Sequence, residues 1–505
     1  MDKKLYTPNT KQNDYKFWMA YPTCEAFALS SLGYMWLYKI ADEAQDISAE
    51  WLATDTPVPK TKIQDVGAIA FSLSFDLDFM GLFEFLEKYN IPFLAKERDK
   101  NFPLIFAGGP VITTNPEPYK HYFDFMMLGD GEENFKKVLE ILKENLPKEK
   151  RLEKLSLLEG IYIPNKTQKV KKVTETLNNV IYTPILSEKS YFKDTFIIEV
   201  SRGCMNRCAF CTASYINLPF RYYEYEKIIE AIEIGLQNTN KIALLGAQIS
   251  GHPRFNDIMN YLKEKMSSGN NIELGISSLR TDSVTPELVQ TLVMGGQKHS
   301  TIAIEAASER LRAFINKNLK EEQILNTIKI CRENGLKGLK IYSMIGIPTE
   351  TQEDIEEFIH LGKKIKSENK GFDITFSFSS FVPKPQTPFQ WSKREDTKTL
   401  EKKQKFLEKE FAKLGIGTKF SSIKWDYWQT VISRGDETLR DFLIQVYKNG
   451  GKIGAYKQAA KELNINLTNF IEGYDTDEPL PWDFIENYPP KQLLINELRR
   501  LEKRI

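Results

Sequence analysis

The chain has 505 residues, of which 41% are hydrophobic and 27% charged, a balance that excludes disorder throughout and predicts about three globular domains. Its 69 basic and 68 acidic side chains leave a formal net charge of +1, which excludes a broad basic surface for non-specific nucleic-acid binding. Apolar runs are too short for the roughly 20 residues that span a bilayer, and the N-terminus lacks the apolar run of a signal peptide. The sequence therefore predicts a cytoplasmic protein with no membrane span.

The first 145 residues alternate strand and helix signals. Four short apolar runs are separated by segments long enough for a helix: 17–21, 68–73, 104–107 and 123–128. Strands alternating with helices predict a doubly wound, Rossmann-like parallel sheet, which binds ligands at the carboxyl ends of its strands. Residues 146–193 are rich in lysine and interrupted by proline, and we interpret them as a linker with minor structure.

From residue 194 the alternation resumes with six strand candidates: 196–200, 242–245, 272–276, 301–304, 339–345 and 374–378. Near-continuous Val, Ile and Leu in these runs indicate burial on both faces of a sheet. Six βα units over residues 194–396 predict a partial (β/α)6 TIM-like barrel, whose active-site groups lie at the C-terminal ends of the strands. Residues 397–505 are predicted to form a small, mainly helical C-terminal domain.

Three of the five cysteines are clustered directly after the first barrel strand. Cys204, Cys208 and Cys211 have the spacing C-x3-C-x2-C, and soft thiolates select zinc or iron–sulfur clusters. A structural zinc site requires a fourth Cys or His nearby, whereas the next histidine is His252. The spacing therefore favours an iron–sulfur cluster with one open iron. A zinc site with a distant fourth ligand, or three ordinary core cysteines, are the alternatives.

This motif, with Phe210 as its aromatic residue, resembles the C-x3-C-x-aromatic-C signature of the radical S-adenosylmethionine (SAM) superfamily. The resemblance implies that Cys204, Cys208 and Cys211 hold a [4Fe-4S] cluster and that SAM binds its open iron. It further implies that SAM is cleaved to a 5′-deoxyadenosyl radical, which removes a hydrogen atom from the substrate. An electron donor such as ferredoxin or flavodoxin would supply the electron.

The resemblance also assigns SAM contacts to residues at the ends of the later barrel strands. Glycine permits close approach of a ligand to the backbone, and arginine is a planar donor for a carboxylate. The implied SAM-binding residues, in strand order, are Gly246, Ala247, Ser277, Arg280, Glu305, Ser308, Arg312 and Ile345.

Four further segments resemble one branch of the superfamily, which has an N-terminal cobalamin (B12)-binding-like domain: 115–118, 128–132, 381–391 and 480–483. In that branch the residues that approach the corrin would be Ser72, Ser74, Gly108 and Gly109. The Asp-x-His-x-x-Gly signature that supplies an axial histidine is missing, because residues 23–27 read TCEAF. The sequence leaves open whether the domain binds cobalamin or only shapes the entrance to the barrel.

The leading hypothesis is a radical SAM enzyme that activates a C–H bond, with methyl transfer to carbon if cobalamin is bound. The alternative is a radical SAM enzyme without cobalamin, similar to the RNA-modifying methylthiotransferases. Those enzymes carry three further cysteines in the N-terminal domain, where this chain has only Cys24. A sensor that uses its cluster for signalling is a third hypothesis. The sequence names no substrate.

Overall fold

The computed structural model describes residues 2–9, 15–276 and 278–505. A short strand, β1 (Lys3–Lys4), precedes the first sheet. The strands of that sheet are β2 (Tyr15–Tyr21), β3 (Ile47–Ala53), β4 (Val66–Ser72), β5 (Leu104–Gly108), β6 (Phe125–Met127) and β7 (Ile161–Tyr162). The helices of this region are α1 (Glu25–Ala28), α2 (Leu32–Glu43), α3 (Phe79–Lys88), α4 (Pro110–Thr114), α5 (Glu132–Leu142) and α6 (Lys148–Leu155).

The first sheet has the strand order β3-β2-β4-β5-β6-β7, and only the last pair is antiparallel. Counted from β2, its parallel strands follow the order 2-1-3-4-5, in which ligands bind at the carboxyl ends where the strand order reverses. The predicted doubly wound sheet is therefore confirmed. Its β2 and β4 flank the reversal point.

Two strands of this sheet are not in the predicted runs. The pattern does not predict β3, because Ser48 and Glu50 interrupt its apolar residues, as suits a strand at the edge of the sheet. The other is β7, which lies in the segment interpreted as a linker and pairs antiparallel with β6. Residues 146–193 thus extend the first sheet.

Two short strands, β8 (Val170–Lys171) and β9 (Ile185–Leu186), lead to the barrel, and β9 pairs with β1. The following strands are β10 (Phe196–Glu199), β11 (Ser201–Arg202), β12 (Arg221–Tyr222), β13 (Lys241–Leu245), β14 (Glu273–Ile276), β15 (His299–Glu305), β16 (Gly338–Ile345), β17 (Asp373–Ser380) and β18 (Gly417–Phe420). The helices are α7 (Thr212–Ile216), α8 (Tyr225–Leu236), α9 (Phe255–Ser267), α10 (Pro286–Met294), α11 (Glu309–Phe314), α12 (Glu321–Glu333), α13 (Gln352–Glu368) and α14 (Thr397–Leu414).

The barrel strands form two parallel sets, β10-β13-β14 and β15-β16-β17-β18. A parallel bridge between Leu279 and Ile302 joins the two sets. All six predicted strands are present, and the partial barrel is confirmed. Among the described residues, β18 and β10 do not pair with each other or through another strand, so the barrel is open on that side. The seventh strand, β18, lies in the region predicted to be mainly helical.

The C-terminal region is otherwise helical, as expected. Its elements are α15 (Ile423–Ser433), α16 (Arg440–Lys448), α17 (Ile453–Glu462), β19 (Ile485–Glu486) and α18 (Lys491–Glu502). These helices pack against α3, where the rings of Phe79 and Tyr456 lie 6.2 Å apart and those of Phe83 and Tyr447 lie 5.6 Å apart. The C-terminal region therefore covers α3, which packs on one face of the first sheet, and it also contacts the barrel.

Apolar side chains form three clusters: one on each face of the first sheet and one within the barrel. In the described residues, no helix combines the length and the apolar character needed to cross a membrane.

Candidate functional site

The three clustered cysteines lie on a loop whose base is closed by a pair of strands. Because β11 and β12 pair antiparallel, residues 203–220 leave and return at the carboxyl end of β10. Gly203 begins the loop with φ of 85°, and a Cβ there would lie 2.5 Å from the Asn217 carbonyl oxygen. Glycine alone fits this position without displacing the backbone.

Hydrogen bonds from the end of α11 hold the loop in place. Asn316 Nδ2 donates to the carbonyl oxygens of Asn206 and Arg207, at 3.0 and 3.1 Å. The amide of Ala209, between the second and third cysteines, donates to the Ile315 carbonyl at 2.9 Å. The cysteine loop is thus fixed against the barrel by contacts within the protein.

All three thiols line one small cavity, here called the cysteine pocket, with a volume of about 180 Å³. Strand ends of the barrel supply most of the other walls. Four further residues predicted from the sequence line the pocket as well: Phe210, Ala247, Arg280 and Glu305. The structure therefore brings the cysteines together with the ends of β13, β14 and β15.

The cysteines are free thiols in a largely buried setting. Cys204 Sγ donates to Gln248 Oε1 at 3.2 Å and accepts from Asn206 Nδ2 at 3.4 Å. Burial raises the pKa of Cys208 to about 12 and also raises the pKa of Cys211. Thiolate ligation of a metal would displace these protons. In the described ranges, no three His, Cys, Asp or Glu side chains are grouped so as to hold a single metal ion.

Two ion pairs lie at the wall of the cysteine pocket. Lys317 Nζ donates to Glu305 Oε1 at 3.0 Å. Arg280 pairs with Asp282 through Nε at 2.6 Å and Nη2 at 2.8 Å. Glu305 ends β15 with φ of 66°, next to a register shift in the strand. Such a conformation is strained for a residue with a Cβ, and strained residues cluster at functional sites.

Four of the predicted SAM-binding residues do not line the cysteine pocket. Ser308 caps the N-terminus of α11 and donates to Asp354 Oδ1 at 2.6 Å. Arg312 is fully buried, and its guanidinium donates to the carbonyl groups of three residues of its own segment. Ile345 is part of the barrel core. Gly246 instead permits close packing, since a Cβ there would lie 2.7 Å from Ser201 Oγ.

The remaining predicted residue of this set, Ser277, lies outside the described residues.

A second cavity, here called the N-terminal cavity, has a volume of about 640 Å³ and opens at the carboxyl ends of β4 and β5. All four residues predicted to approach a corrin line it: Ser72, Ser74, Gly108 and Gly109. Gly109 has φ of 105°, and a Cβ there would lie 2.5 Å from the Leu73 carbonyl oxygen. Among the described residues no histidine lines this cavity.

Helix α7 separates the two cavities. Cys211 caps its N-terminus and lines the cysteine pocket together with Ser214. Thr212, Ala213 and Ile216 line the N-terminal cavity. One short helix is therefore a wall shared by both cavities.

A charged cluster joins the first sheet to the cysteine loop. Arg202 donates to Asp130 at 2.8 Å, to Glu132 at 2.6 Å and to Glu199 at 2.7 Å. Arg221 donates to the second carboxylate oxygen of Asp130 at 2.5 Å. Burial opposes ionisation, but the two guanidinium groups lower the pKa of Asp130. Since Arg202 is two residues before Cys204, this cluster fixes the turn after β6 against the start of the loop.

Two sequence models match the chain. The one described as "Radical SAM proteins, N-terminal" matches residues 33–164, and the one described as "Radical SAM superfamily" matches residues 198–362. An uncharacterized protein of Methanocaldococcus jannaschii is 32% identical over 391 residues, covering 76% of this chain and 81% of that protein. The chain belongs to the radical SAM superfamily.

More distant relatives differ in the activities that their names carry. An uncharacterized methyltransferase of Pyrococcus horikoshii is 26% identical, covering 59% of this chain and 67% of that protein. The tRNA-2-methylthio-N(6)-dimethylallyladenosine synthase of Buchnera aphidicola subsp. Cinara cedri is also 26% identical, covering 62% of this chain and 69% of that protein.

Two solved radical SAM structures share the fold. TsrM from Kitasatospora setae, solved with cobalamin and a [4Fe-4S] cluster, has a TM-score of 0.52 at 12% identity and covers 72% of this chain and 75% of its own. OxsB, solved with aqua-cobalamin and S-adenosylmethionine, has a TM-score of 0.54 at 13% identity. The match covers 99% of this chain and 79% of the OxsB chain. The likeness to OxsB thus extends over the first sheet, the barrel and the C-terminal region.

Sequence reasoning missed several polar residues of the two cavities. Gln248 and Lys317 line the cysteine pocket, whereas Arg202 and Lys384 line the N-terminal cavity. Gln248 follows the predicted Gly246 and Ala247 at a strand end, which is a usable signal. Lys317 lies 12 residues after its partner Glu305, and no spacing rule predicts that contact.

Proposed function

We propose that this radical SAM enzyme binds a [4Fe-4S] cluster and SAM in the cysteine pocket and cobalamin in the N-terminal cavity, and that it transfers a methyl group to carbon. The observation that carries the proposal is helix α7, which directly follows Cys211 and lines both cavities. Two cofactors on either side of one short helix would be close enough to act on one substrate.

The residues of the cysteine pocket fit an iron–sulfur cluster with an open iron. Three free thiols line one cavity and provide three soft ligands. Arg280 and Lys317 supply positive charge for the carboxylate of SAM or for the anionic cluster. Ala247 lies two residues after β13 at the same wall, where a small side chain leaves space for a ligand.

The residues of the N-terminal cavity fit a corrin ring. Five glycines line it, so that backbone atoms form much of its surface: Gly33, Gly108, Gly109, Gly129 and Gly131. A Cβ at Gly33 would meet no other atom within 4 Å, so this surface is open. Since no histidine lines the described cavity, we propose that cobalamin binds without an axial histidine.

When bound, the cluster and SAM would supply a 5′-deoxyadenosyl radical, and cobalamin would carry the methyl group. The chain's own residues hold and shield these groups. Phe210, which lies between the second and third cysteines in the sequence, lines the pocket with an apolar ring that would help to exclude water. Ile216 presents an apolar surface to the N-terminal cavity. A one-electron reductant is required, and we propose ferredoxin or flavodoxin.

The functional units we propose are residues 1–145 for cobalamin, 146–193 as a connecting segment, 194–396 for the radical SAM barrel and 397–505 as the C-terminal unit. We further propose that the reaction takes place in the cytoplasm.

A methylthiotransferase-like activity on RNA is the second candidate, because the Buchnera relative carries that activity in its name. Cys24 is the single cysteine in the proposed cobalamin unit, so three extra thiolates for a second cluster are not available there. The near-neutral net charge also gives no support to RNA binding.

The test is to reconstitute the protein anaerobically with iron and sulfide, and to incubate it with methyl-labelled SAM, dithionite and hydroxocobalamin. We expect 5′-deoxyadenosine to form and labelled methyl to be found on cobalamin. SAM cleavage with no labelled methyl on cobalamin would favour the second candidate. If neither cleavage nor methyl transfer occurs, the proposal fails.

A further inference from the structure

The loop after β17, residues 381–391, contacts both the wall of the N-terminal cavity and the cysteine loop, and the proposed function does not use it. Gln386 Nε2 donates to the carbonyl oxygens of Thr113 and Thr114, at 2.7 and 2.8 Å, and both threonines line the N-terminal cavity. The amide of Phe389 donates to the Ala209 carbonyl in the cysteine loop at 3.2 Å. Hydrogen bonds therefore hold this loop against both α4 and the cysteine loop.

This loop places Lys384 in the wall of the N-terminal cavity. Lys384 Nζ donates to Asp76 Oδ2, and Gln429 Nε2 donates to the same oxygen at 3.0 Å. The three residues come from the loop after β4, the loop after β17 and α15, and all three line the cavity. The side chains of Lys384 and Asp76 are 20% and 8% exposed, so the pair is partly accessible from the cavity.

Asp76, Lys384 and Gln429, here called the trio, have both unused hydrogen-bond donors and unused acceptors among the described residues. An ammonium group has three donors, and in the described part of the chain only Asp76 accepts from Lys384. Within the same residues, no donor reaches Asp76 Oδ1 or Gln429 Oε1. A carboxylate ligand would be repelled by Asp76, and a cationic ligand by Lys384. The trio therefore suits a neutral group that both donates and accepts, which is the chemistry of a carboxamide.

We propose that Asp76, Lys384 and Gln429 bind a carboxamide arm of the corrin ring. The inference rests on the proposed function and adds that cobalamin is held by the barrel loop and the C-terminal helix as well as by the first sheet. A corrin with its ring of amide arms is large enough to fill a cavity of about 640 Å³ and to reach this wall.

The experiment titrates hydroxocobalamin into the full-length protein without added SAM and follows binding by visible absorbance. The variants are Lys384→Met and Gln429→Met, and the matched control is Lys424→Met, an exposed lysine on α15. We expect affinity to fall about 10-fold in Lys384→Met and about 3-fold in Gln429→Met, as for loss of a charged and a neutral hydrogen bond. Lys424→Met should bind as the wild type does.

A cobalamin derivative with one amide hydrolysed to a carboxylate sharpens the test, since each position around the ring can be compared. One such derivative should bind the wild type more weakly than hydroxocobalamin, and Lys384→Met should not restore its binding. Gln429→Met leaves the Lys384–Asp76 pair intact, so it reports on binding even if Lys384→Met fails to fold. Wild-type affinity in both variants overturns this inference alone. Failure of the wild type to bind hydroxocobalamin overturns the proposed use of cobalamin.

Discussion

The cysteine pocket and the N-terminal cavity share helix α7 but are built in different ways. The cysteine pocket is small, and its three thiols come from one segment of eight residues in the cysteine loop, 204–211, with further walls from neighbouring strand ends. The N-terminal cavity is more than three times larger and collects its walls from the first sheet, the barrel and the C-terminal region. The comparison teaches that a site formed by one loop can be recognised in the sequence as a motif. A site formed by segments far apart in the sequence can be recognised only once the fold is known.

The largest effect is expected from removing one ligand of the cysteine pocket. Cys208→Ala should abolish iron retention and reduce SAM cleavage by at least about 1,000-fold, because two thiolates do not hold the cluster. Iron content and 5′-deoxyadenosine formation measure the change. Cys24→Ala is the matched control, since Cys24 lies at the start of α1 and lines neither cavity. Equal losses in both variants would contradict the assignment of the ligands.

The charged cluster between the first sheet and the cysteine loop should have the next largest effect. Arg202→Met leaves the carboxylates of Glu132 and Glu199 without a guanidinium partner, and Asp130 keeps only Arg221. This should cost about 3–5 kcal/mol of the free energy of unfolding. Urea denaturation measures this cost.

The control for Arg202 is Arg440→Met, which removes an exposed ion pair with Asp441 and should cost about 1 kcal/mol or less. If the two substitutions destabilise the protein equally, the cluster does not fix the cysteine loop against the first sheet.

A bulky side chain in the N-terminal cavity tests whether the two cavities bind their cofactors independently. Gly33→Phe should weaken binding of hydroxocobalamin by about 100-fold, equivalent to about 2.7 kcal/mol, because the ring occupies open space at the cavity wall. Iron content should stay at the wild-type value. The control is Gly454→Phe, which also changes the second residue of a helix facing open space but lies outside both cavities. Loss of the cluster in Gly33→Phe would show that the cavities are not independent.

The smallest effect concerns a residue that the sequence assigned to SAM. Ser308→Ala removes the cap of α11 and the hydrogen bond to Asp354, which should cost about 1 kcal/mol of the free energy of unfolding. The KM for SAM should not change, because Ser308 does not line the cysteine pocket. A raised KM for SAM with an unchanged free energy of unfolding would show that Ser308 contributes to SAM binding.

Most of the architecture was predictable because buried parallel strands are continuous apolar runs, as in β4 and the barrel strands. The exceptions have physical reasons. The edge strand β3 alternates with polar residues, and β18 follows a long helix in a segment whose composition favours helix. Pairing partners far apart in sequence, such as β8 with β19, leave no local signal at all.

The candidate site divides along the same line. That Cys204, Cys208 and Cys211 share one pocket was predictable because one loop holds them. That Ser72, Ser74, Gly108 and Gly109 share one cavity was predictable because the ends of parallel strands meet at one edge of a sheet. Ser308 and Arg312 also follow a strand end. However, the Ser308 side chain caps a helix and the Arg312 side chain donates to backbone carbonyl groups. Lys317 and Lys384 could not be predicted, because their roles depend on partners brought together only by the fold.

The most direct test of the two-cavity account is to count cofactors on the wild-type protein after anaerobic purification, reconstitution with iron and sulfide, and loading with hydroxocobalamin. Iron, sulfide and corrinoid are measured per chain after gel filtration. The account predicts about four irons, four sulfides and one corrinoid per chain, as three thiolates and a [4Fe-4S] cluster require. Retention of zinc in place of iron, or of a cluster with no corrinoid, would contradict it.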